Sequence, residues 1–215
     1  MRWYRVGGQL LPSVTSVLGL VLRKPGLERW RGRHGNEEAD RQSAEARSSG
    51  SAVHRQVEVF NKNILLDPAF TGGEPPAYRA WFQANIAEPV LVETVTFSTL
   101  HGYAGRVDLV ARMRSGRLAV IDIKTVGRFG CYPEYLLQTA AYAAALEESH
   151  GLAVGERHIV QIHRESGEVN LLTLEDLDGD FGAWLRVLEY FRWWCRRFPA
   201  ELAREEFEIA EVRSG

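Results

Sequence analysis

Hydrophobic and polar positions change rhythm four times along this chain. The first ninety or so residues carry helical spacing. Val14, Val17, Leu18 and Leu22 lie on one helical face behind Ser13, a candidate N-cap after Pro12. Pro25 opens a second short helix bearing Leu27 and Trp30, closed by Gly32 or Gly35. A polar, alanine-bearing helix is expected over 36–47, broken by Ser48-Ser49-Gly50, and another over 51–65. Gly72-Gly73 and Pro75-Pro76 mark a loop before a helix over 77–87, with Trp81 as its core anchor.

From Leu91 the period falls to two. Segments 91–99, 106–112 and 118–125 read as strands, the last two joined by the Ser115-Gly116 turn. An alanine-rich helix over 133–148 follows. Then comes a strand pair, 156–163 and 169–174, around Ser166-Gly167. A last helix starts at Asp178 or Asp180 and runs to about Phe198, carrying Trp184, Leu185, Leu188, Phe191 and Trp194. Helices, a strand meander, a helix and more strands predict a mixed α/β (α+β) fold, with a central mixed sheet flanked by helices. One domain is expected over 1–215: a helical part at 1–88, a sheet and helix at 89–175, and a C-terminal helix and tail at 176–215.

Composition narrows the partners. The 215 residues are 45% hydrophobic and 25% charged, with a formal net charge of −2. That balance argues against an overall basic coat but leaves room for a local basic groove. Cys131 and Cys195 alone cannot build a four-cysteine zinc or iron–sulfur site. The opening MRWYRVGGQLLPS lacks the apolar core of a signal peptide, and the run 14–22 is too short to span a bilayer. A cytoplasmic setting with no membrane partner is the expectation.

The chemistry concentrates in GRVDLVARMRSGRLAVIDIK, residues 105–124. Side chains alternate across a strand, so Asp122 and Lys124 face one side while Ile121 and Ile123 face the other. The turn folds the Asp108 strand back beside them. Two carboxylates converging on one face repel unless a cation sits between them, and hard oxygen ligands suit Mg²⁺ or Mn²⁺. A lysine beside such a metal orients a water or stabilises phosphate charge. The set equips the chain to cut a phosphodiester bond.

GRVD followed by IDIK resembles the PD-(D/E)XK nuclease superfamily, in which an Asp precedes Asp-X-Lys on the next strand; Val107 stands where the superfamily's name has Pro. Gln138 and Tyr142, four apart on the next helix, match the Q-x-x-x-Y signature of the RecB-like branch. GSAVH, ending at His54, is similar to that branch's helical histidine motif. Glu93 in LVETVTF sits where a strand glutamate precedes the GxxD motif. LPSVTSVL, with Trp30 after it, resembles the start of the mitochondrial-genome-maintenance exonuclease subgroup and its phage and bacterial relatives.

The resemblance implies a restriction-endonuclease-like core. It implies metal ligation by His54, Asp108, Asp122 and the Ile123 carbonyl. Lys124, Gln138, Tyr142 and Glu93 would serve the reaction beside Asp108 and Asp122, and no iron–sulfur cluster is expected. DNA, single-stranded or with a free end, is the implied substrate, and Ser13, Thr15, Gln138 and Tyr142 would meet it. The basic stretch with Lys24, Arg29 and Arg33 beside Trp30 is the expected site of sequence-independent backbone binding. Exonuclease action on single-stranded ends fits the subgroup. A structure-specific endonuclease or resolvase on the same core is the alternative enzyme, and a non-catalytic nucleic-acid-binding module is the alternative from another class. Residues outside the motif have plainer readings. Glu58 is expected to face water, His101, His158 and His163 to be structural, and Arg192, Arg196 and Arg197 to form a solvated basic face, with Trp193 as the exposed aromatic among its neighbours.

Overall fold

A computed structural model describes residues 1–22, 25–64, 67, 69–70, 72–202 and 205–212, with backbone alone at 25–27, 30, 34, 36, 42–43, 46–47 and 49. In chain order the elements are β1 (Arg2–Val6), β2 (Gln9–Pro12), α1 (Val14–Val21), α2 (Pro25–His34), α3 (Asn36–Asn63), α4 (Pro76–Asn85), β3 (Ile86–Ser98), β4 (Tyr103–Met113), β5 (Leu118–Val126), α5 (Pro133–His150), β6 (Glu156–His163), β7 (Val169–Thr173), α6 (Leu177–Arg197), α7 (Pro199–Leu202) and β8 (Glu208–Val212).

The central sheet runs β3-β4-β5-β6-β7. Its hairpin neighbours are antiparallel, and β5 and β6 are parallel, joined through α5. A parallel pair needs such a long crossover, and the alanine-rich α5 lies flat enough to pack close on the sheet. One face buries Val107, Val110 and Val120 against Val14, Val17 and Leu18 of α1, Leu137, Ala141 and Leu146 of α5, and Trp184, Leu188 and Phe191 of α6. The opposite face buries Leu109, Ala111, Ile121 and Ile123 against Val57 and Phe60 of α3 and Tyr78 and Phe82 of α4. A sheet covered on both faces explains why β5 reads as a nearly unbroken apolar run. It also makes its two charged residues, Asp122 and Lys124, conspicuous.

Several expectations change. Residues 36–63 form one continuous helix, not two segments broken at Ser48-Ser49-Gly50. Tertiary packing overrides the propensity cost here. A Cβ at Gly50 would meet Thr125 Cβ at 3.7 Å, an ordinary contact, so α3 passes beside the end of β5 here without requiring a glycine. In α4, Tyr78 and Phe82 are the buried anchors, and Trp81 is only half-buried beside them. The cap of α6 is Asp176, whose side chain accepts the Gly179 N–H at 2.9 Å, while Asp180 pairs with the buried Arg157 at 2.7 Å.

A second sheet, β2-β1-β8, had no counterpart among the predicted elements. The β1–β2 hairpin turns at Gly7 and Gly8, with φ of +53° and +83°. Both residues need positive φ, which only glycine adopts without strain. β8 then pairs with β1 in parallel, Arg2 opposite Glu208. The α1 start is held beneath this sheet: Ser13 Oγ accepts the Ser16 N–H at 3.0 Å as the predicted cap, and Ser16 Oγ accepts the Arg2 N–H at 2.8 Å.

Candidate active site

The site opens where β4 and β5 part. Their ladder ends at the pair Leu109 and Ile121. One step further, Asp108 Oδ2 accepts the Ile123 N–H at 2.8 Å. A side-chain oxygen thus takes the donor that the neighbouring strand would have satisfied, and the strands splay around it. The cleft so formed has a volume of about 600 Å³. Its walls include His54, Asp108, Asp122, Ile123, Lys124, Gln138 and Tyr142, together with Ser13 and Thr15 from the start of α1.

On the α3 side, His54 Nε2 stands 3.3 Å from Asp108 Oδ2. Glu93 joins them: one ligand atom each from His54, Glu93 and Asp108 lie within 4.8 Å of one another. Glu93 has φ of +49°, the one non-glycine residue with positive φ among the described residues. Backbone held in that region costs on the order of 1–3 kcal/mol and clusters at functional sites. The unusual conformation brings its carboxylate to Arg106 Nε at 2.8 Å, with the side chain only 5% exposed.

On the α5 side, Gln138 bridges the reactive pair. Its Nε2 donates to Asp122 Oδ1 at 2.7 Å, and its Oε1 accepts from Lys124 Nζ at 3.1 Å. The opposite charges of the two partners fix which way the amide points. Lys124 Nζ also lies 2.6 Å from Asp122 Oδ2. Gln138 Nε2 reaches the Tyr142 hydroxyl at 3.2 Å. The Tyr142 ring packs on Gly105, where any Cβ would stand 3.2 Å from Cζ and 3.3 Å from Cδ1. The glycine of GRVD is therefore a packing requirement of the tyrosine on the next helix.

Crowding shows in the protonation equilibria. Burial lifts Asp122 to about 6, with the Asp108 charge adding to it and Lys124 opposing. Burial and the Asp108 charge lift Glu93 to about 7 against Arg106 and His54. Burial also pushes Asp108 upward, but the His54 hydrogen bond and the charges of His54 and Lys124 win and leave it below the ordinary carboxylate range. The Asp108 hydrogen bond raises His54 above its ordinary value. Lys124 stays raised because the Asp122 and Asp108 charges outweigh its burial.

Asp122 Oδ2 and Glu93 Oε2 are buried with an ion-pair contact each, to Lys124 and Arg106, but neither accepts a hydrogen bond of good geometry. Such oxygens cost free energy unless something else satisfies them. Carboxylate oxygens and one imidazole nitrogen form a donor set suited to a hard divalent cation. The residues present fit a metal of that kind.

Other sequence-predicted positions fall outside the cleft. Lys24 lies outside the described residues, as does the Trp30 side chain, while Arg29 and Arg33 are exposed on α2 and do not line the cleft. Glu58 pairs with Lys62. His158 is buried against Glu156 and Thr173, His163 Nε2 meets the Gly127 carbonyl, and His101 packs on Phe181. Arg192 is not part of a solvated face, because its guanidinium donates to the His101 and Gly102 carbonyls. Trp193 is exposed, and so are Tyr190 and Phe198 beside it. Missed from the sequence were the cleft residues Arg2, Tyr4, Arg106 and Arg164. Arg106 sits inside the motif two residues before Asp108; the other three arrive through long-range pairing that carries no local signal.

With the parted strands and their acids in view, the likenesses to known proteins fall into place. The profile of the PD-(D/E)XK nuclease superfamily matches residues 74–213. The chain belongs to that superfamily, whose members are metal-dependent nucleases. A solved structure from Eubacterium rectale, described as a "Putative exonuclease", shares 14% identity at a TM-score of 0.54, covering 91% of this chain and 83% of its own. The crystal structure of SSO0001 is 18% identical with a TM-score of 0.46, covering 94% of this chain and 81% of its own. No curated protein matches the chain. Among the described residues no helix is long and apolar enough to cross a membrane.

Proposed function

We propose that the chain is a Mg²⁺- or Mn²⁺-dependent deoxyribonuclease of the RecB-like branch, similar to the mitochondrial-genome-maintenance exonuclease subgroup, that removes nucleotides from single-stranded DNA ends. The observation that carries this reading is the parting of β4 and β5. It gathers Asp108, Asp122, Lys124 and His54 at one cleft, with Glu93 close to His54 and Asp108. The whole of 1–215 acts as one nuclease unit. Its setting is the cytoplasm of a bacterial or phage-infected cell, where recombination, repair and phage DNA processing all supply such ends.

Asp108, Asp122 and the Ile123 carbonyl would hold the cation, with His54 and Glu93 completing the set. When bound, a divalent cation lowers the pKa of a coordinated water and offsets charge on the phosphoryl oxygens. Lys124 Nζ donates to the attacking water and to the charge developing on the phosphate. Gln138 keeps Asp122 and Lys124 at their working separation, and Tyr142 backs Gln138. Ser13 and Thr15 present hydroxyls at the start of α1, where the helix N-terminus favours phosphate. Lys24, Arg29, Trp30 and Arg33 guide the incoming strand.

The test is cleavage of linear and circular single strands in Mg²⁺, Mn²⁺ or chelator. Linear strands shortened from an end in either metal, with circles intact, is the expected result. Circles cut as fast as linear strands would replace the exonuclease with an endonuclease. Binding without cutting in every metal would leave a non-catalytic module.

A further inference from the structure

Besides His54, the described lining of the cleft holds four cationic side chains: Arg2, Arg106, Lys124 and Arg164. Three of them are committed to carboxylates. Arg2 pairs with Glu208 at 3.0 Å, Arg106 with Glu93 at 2.8 Å and Lys124 with Asp122 at 2.6 Å. Arg164 differs. Its guanidinium has no ion-pair or hydrogen-bond partner among the described residues, and its Nε is buried with nothing to donate to. A half-buried guanidinium loses solvation without recovering it, which is tolerated where a ligand supplies the missing acceptor.

Its placement says which acceptor. Arg164 follows β6 directly, and its N–H is held by the Val126 carbonyl at 2.8 Å. Because β5 and β6 are parallel with Lys124 opposite Gln161, Arg164 lies three residues past the level of Lys124. At ~3.3 Å per residue that is about 10 Å along the strands. Gly50, whose carbonyl faces Thr125 Oγ1, and Ser51 of α3 also line the cleft. At the level of the backbone this lies beyond the phosphate being cut beside Lys124, in the direction of the next phosphates of a chain running through the cleft. A planar fork of donors suits a phosphate better than any neutral ligand.

We propose that Arg164 is a substrate-positioning residue that binds a backbone phosphate adjacent to the scissile one and so sets where along the strand the cut falls. The assignment rests on the nuclease reading above. It adds a contact that the cleft's metal-side residues do not supply.

The experiment compares wild type, Arg164→Gln and Arg164→Lys on a short single strand and on copies carrying one uncharged methylphosphonate linkage at successive positions. Wild type should lose about tenfold in kcat/KM when one particular flanking linkage is neutral, the size expected for one charge-assisted contact. Arg164→Gln should lose about as much on the normal strand, through KM, and be indifferent to that neutral linkage. Arg164→Lys should recover part of the loss. Melting temperatures should match, because the side chain holds no other element. In parallel, anisotropy with the labelled strand in Ca²⁺ reads binding without cutting: the Gln variant should show a log–log salt slope shallower by about 0.7. Arg164→Gln as sensitive as wild type to every neutral linkage, or an unchanged salt slope, overturns the assignment. A wild type that binds strands with the Arg164-dependent slope but never cuts them overturns the nuclease reading and leaves the contact standing.

Discussion

The ring of Tyr142 rests on the backbone of Gly105, with no room for a side chain between them. This places a helix residue and a strand residue 37 positions apart in one constraint, and Gln138 hangs from it through the Tyr142 hydroxyl. Gly105→Ala should push Tyr142 away, misplace Gln138 and lower kcat at least tenfold. Overpacking of this kind costs about 1–3 kcal/mol of stability, so the melting temperature should fall while the protein still folds. Full activity in a folded Gly105→Ala protein would show that the tyrosine can move without consequence.

Gln138 joins two groups of opposite charge that would otherwise set their own spacing. Gln138→Leu keeps the volume and removes both hydrogen bonds. Partners in this supporting position typically contribute 10–100-fold in metal affinity or activity. The Leu variant should lose activity in that range, with part of the loss regained at high Mn²⁺. A loss confined to KM for DNA would instead make Gln138 a strand contact.

The local part of the site was legible in the sequence, and the non-local part was not. Alternation along β5 placed Asp122 and Lys124 on one face without any tertiary knowledge. Gln138 and Tyr142 followed from the resemblance to the RecB-like signature, helical spacing giving only that they share one face of the helix. Nothing local announced that β1 would pair with β8 across the length of the chain, bringing Arg2 and Tyr4 to the cleft. The hairpin leading into it did carry a signal: Gly7-Gly8 between strand-like residues is a two-residue turn, and it went unread. Ser48-Ser49-Gly50 misled in the other direction, since a sequence that would break an isolated helix is carried through by the packing of α3 on the sheet. Glu93 was placed by its motif, but its positive φ and its closeness to His54 and Asp108 emerge only from three dimensions.

Asp122 gives a stability prediction with a definite sign. Its folded-state value of about 6 lies above the ordinary 3.8, so the folded metal-free protein binds its proton more tightly than the unfolded chain. Its contribution is fully present below about pH 4 and is lost as pH rises through 6. Asp122→Asn cannot titrate. The metal-free Asn variant should therefore gain on wild type between pH 4 and 6, by on the order of 1–3 kcal/mol, and the gap should be constant below pH 4. Denaturant midpoints across that range measure it. The same variant should be inactive with any metal. A gap that narrows with rising pH would mean that Lys124, left without its partner, costs more than the carboxylate did.

His54 decides whether the α3 side of the cleft belongs to the metal. The Asp108 hydrogen bond raises His54, and Glu93 is lifted to about 7, so both hold their protons to higher pH than the free groups do, and a cation must displace them. Mn²⁺ affinity should therefore climb with pH through the range above 6.5, and binding should release protons. Calorimetry in two buffers of different ionisation enthalpy counts them. His54→Ala should bind Mn²⁺ more weakly or lose one of two ions, release fewer protons and retain a site at Asp108 and Asp122 under high Mn²⁺. If His54 merely packs α3 onto the sheet, the substitution will lower the melting temperature and leave stoichiometry, affinity and proton release as in wild type. That outcome would remove His54 from the ligand set and leave the Asp108, Asp122 and Lys124 core to stand alone.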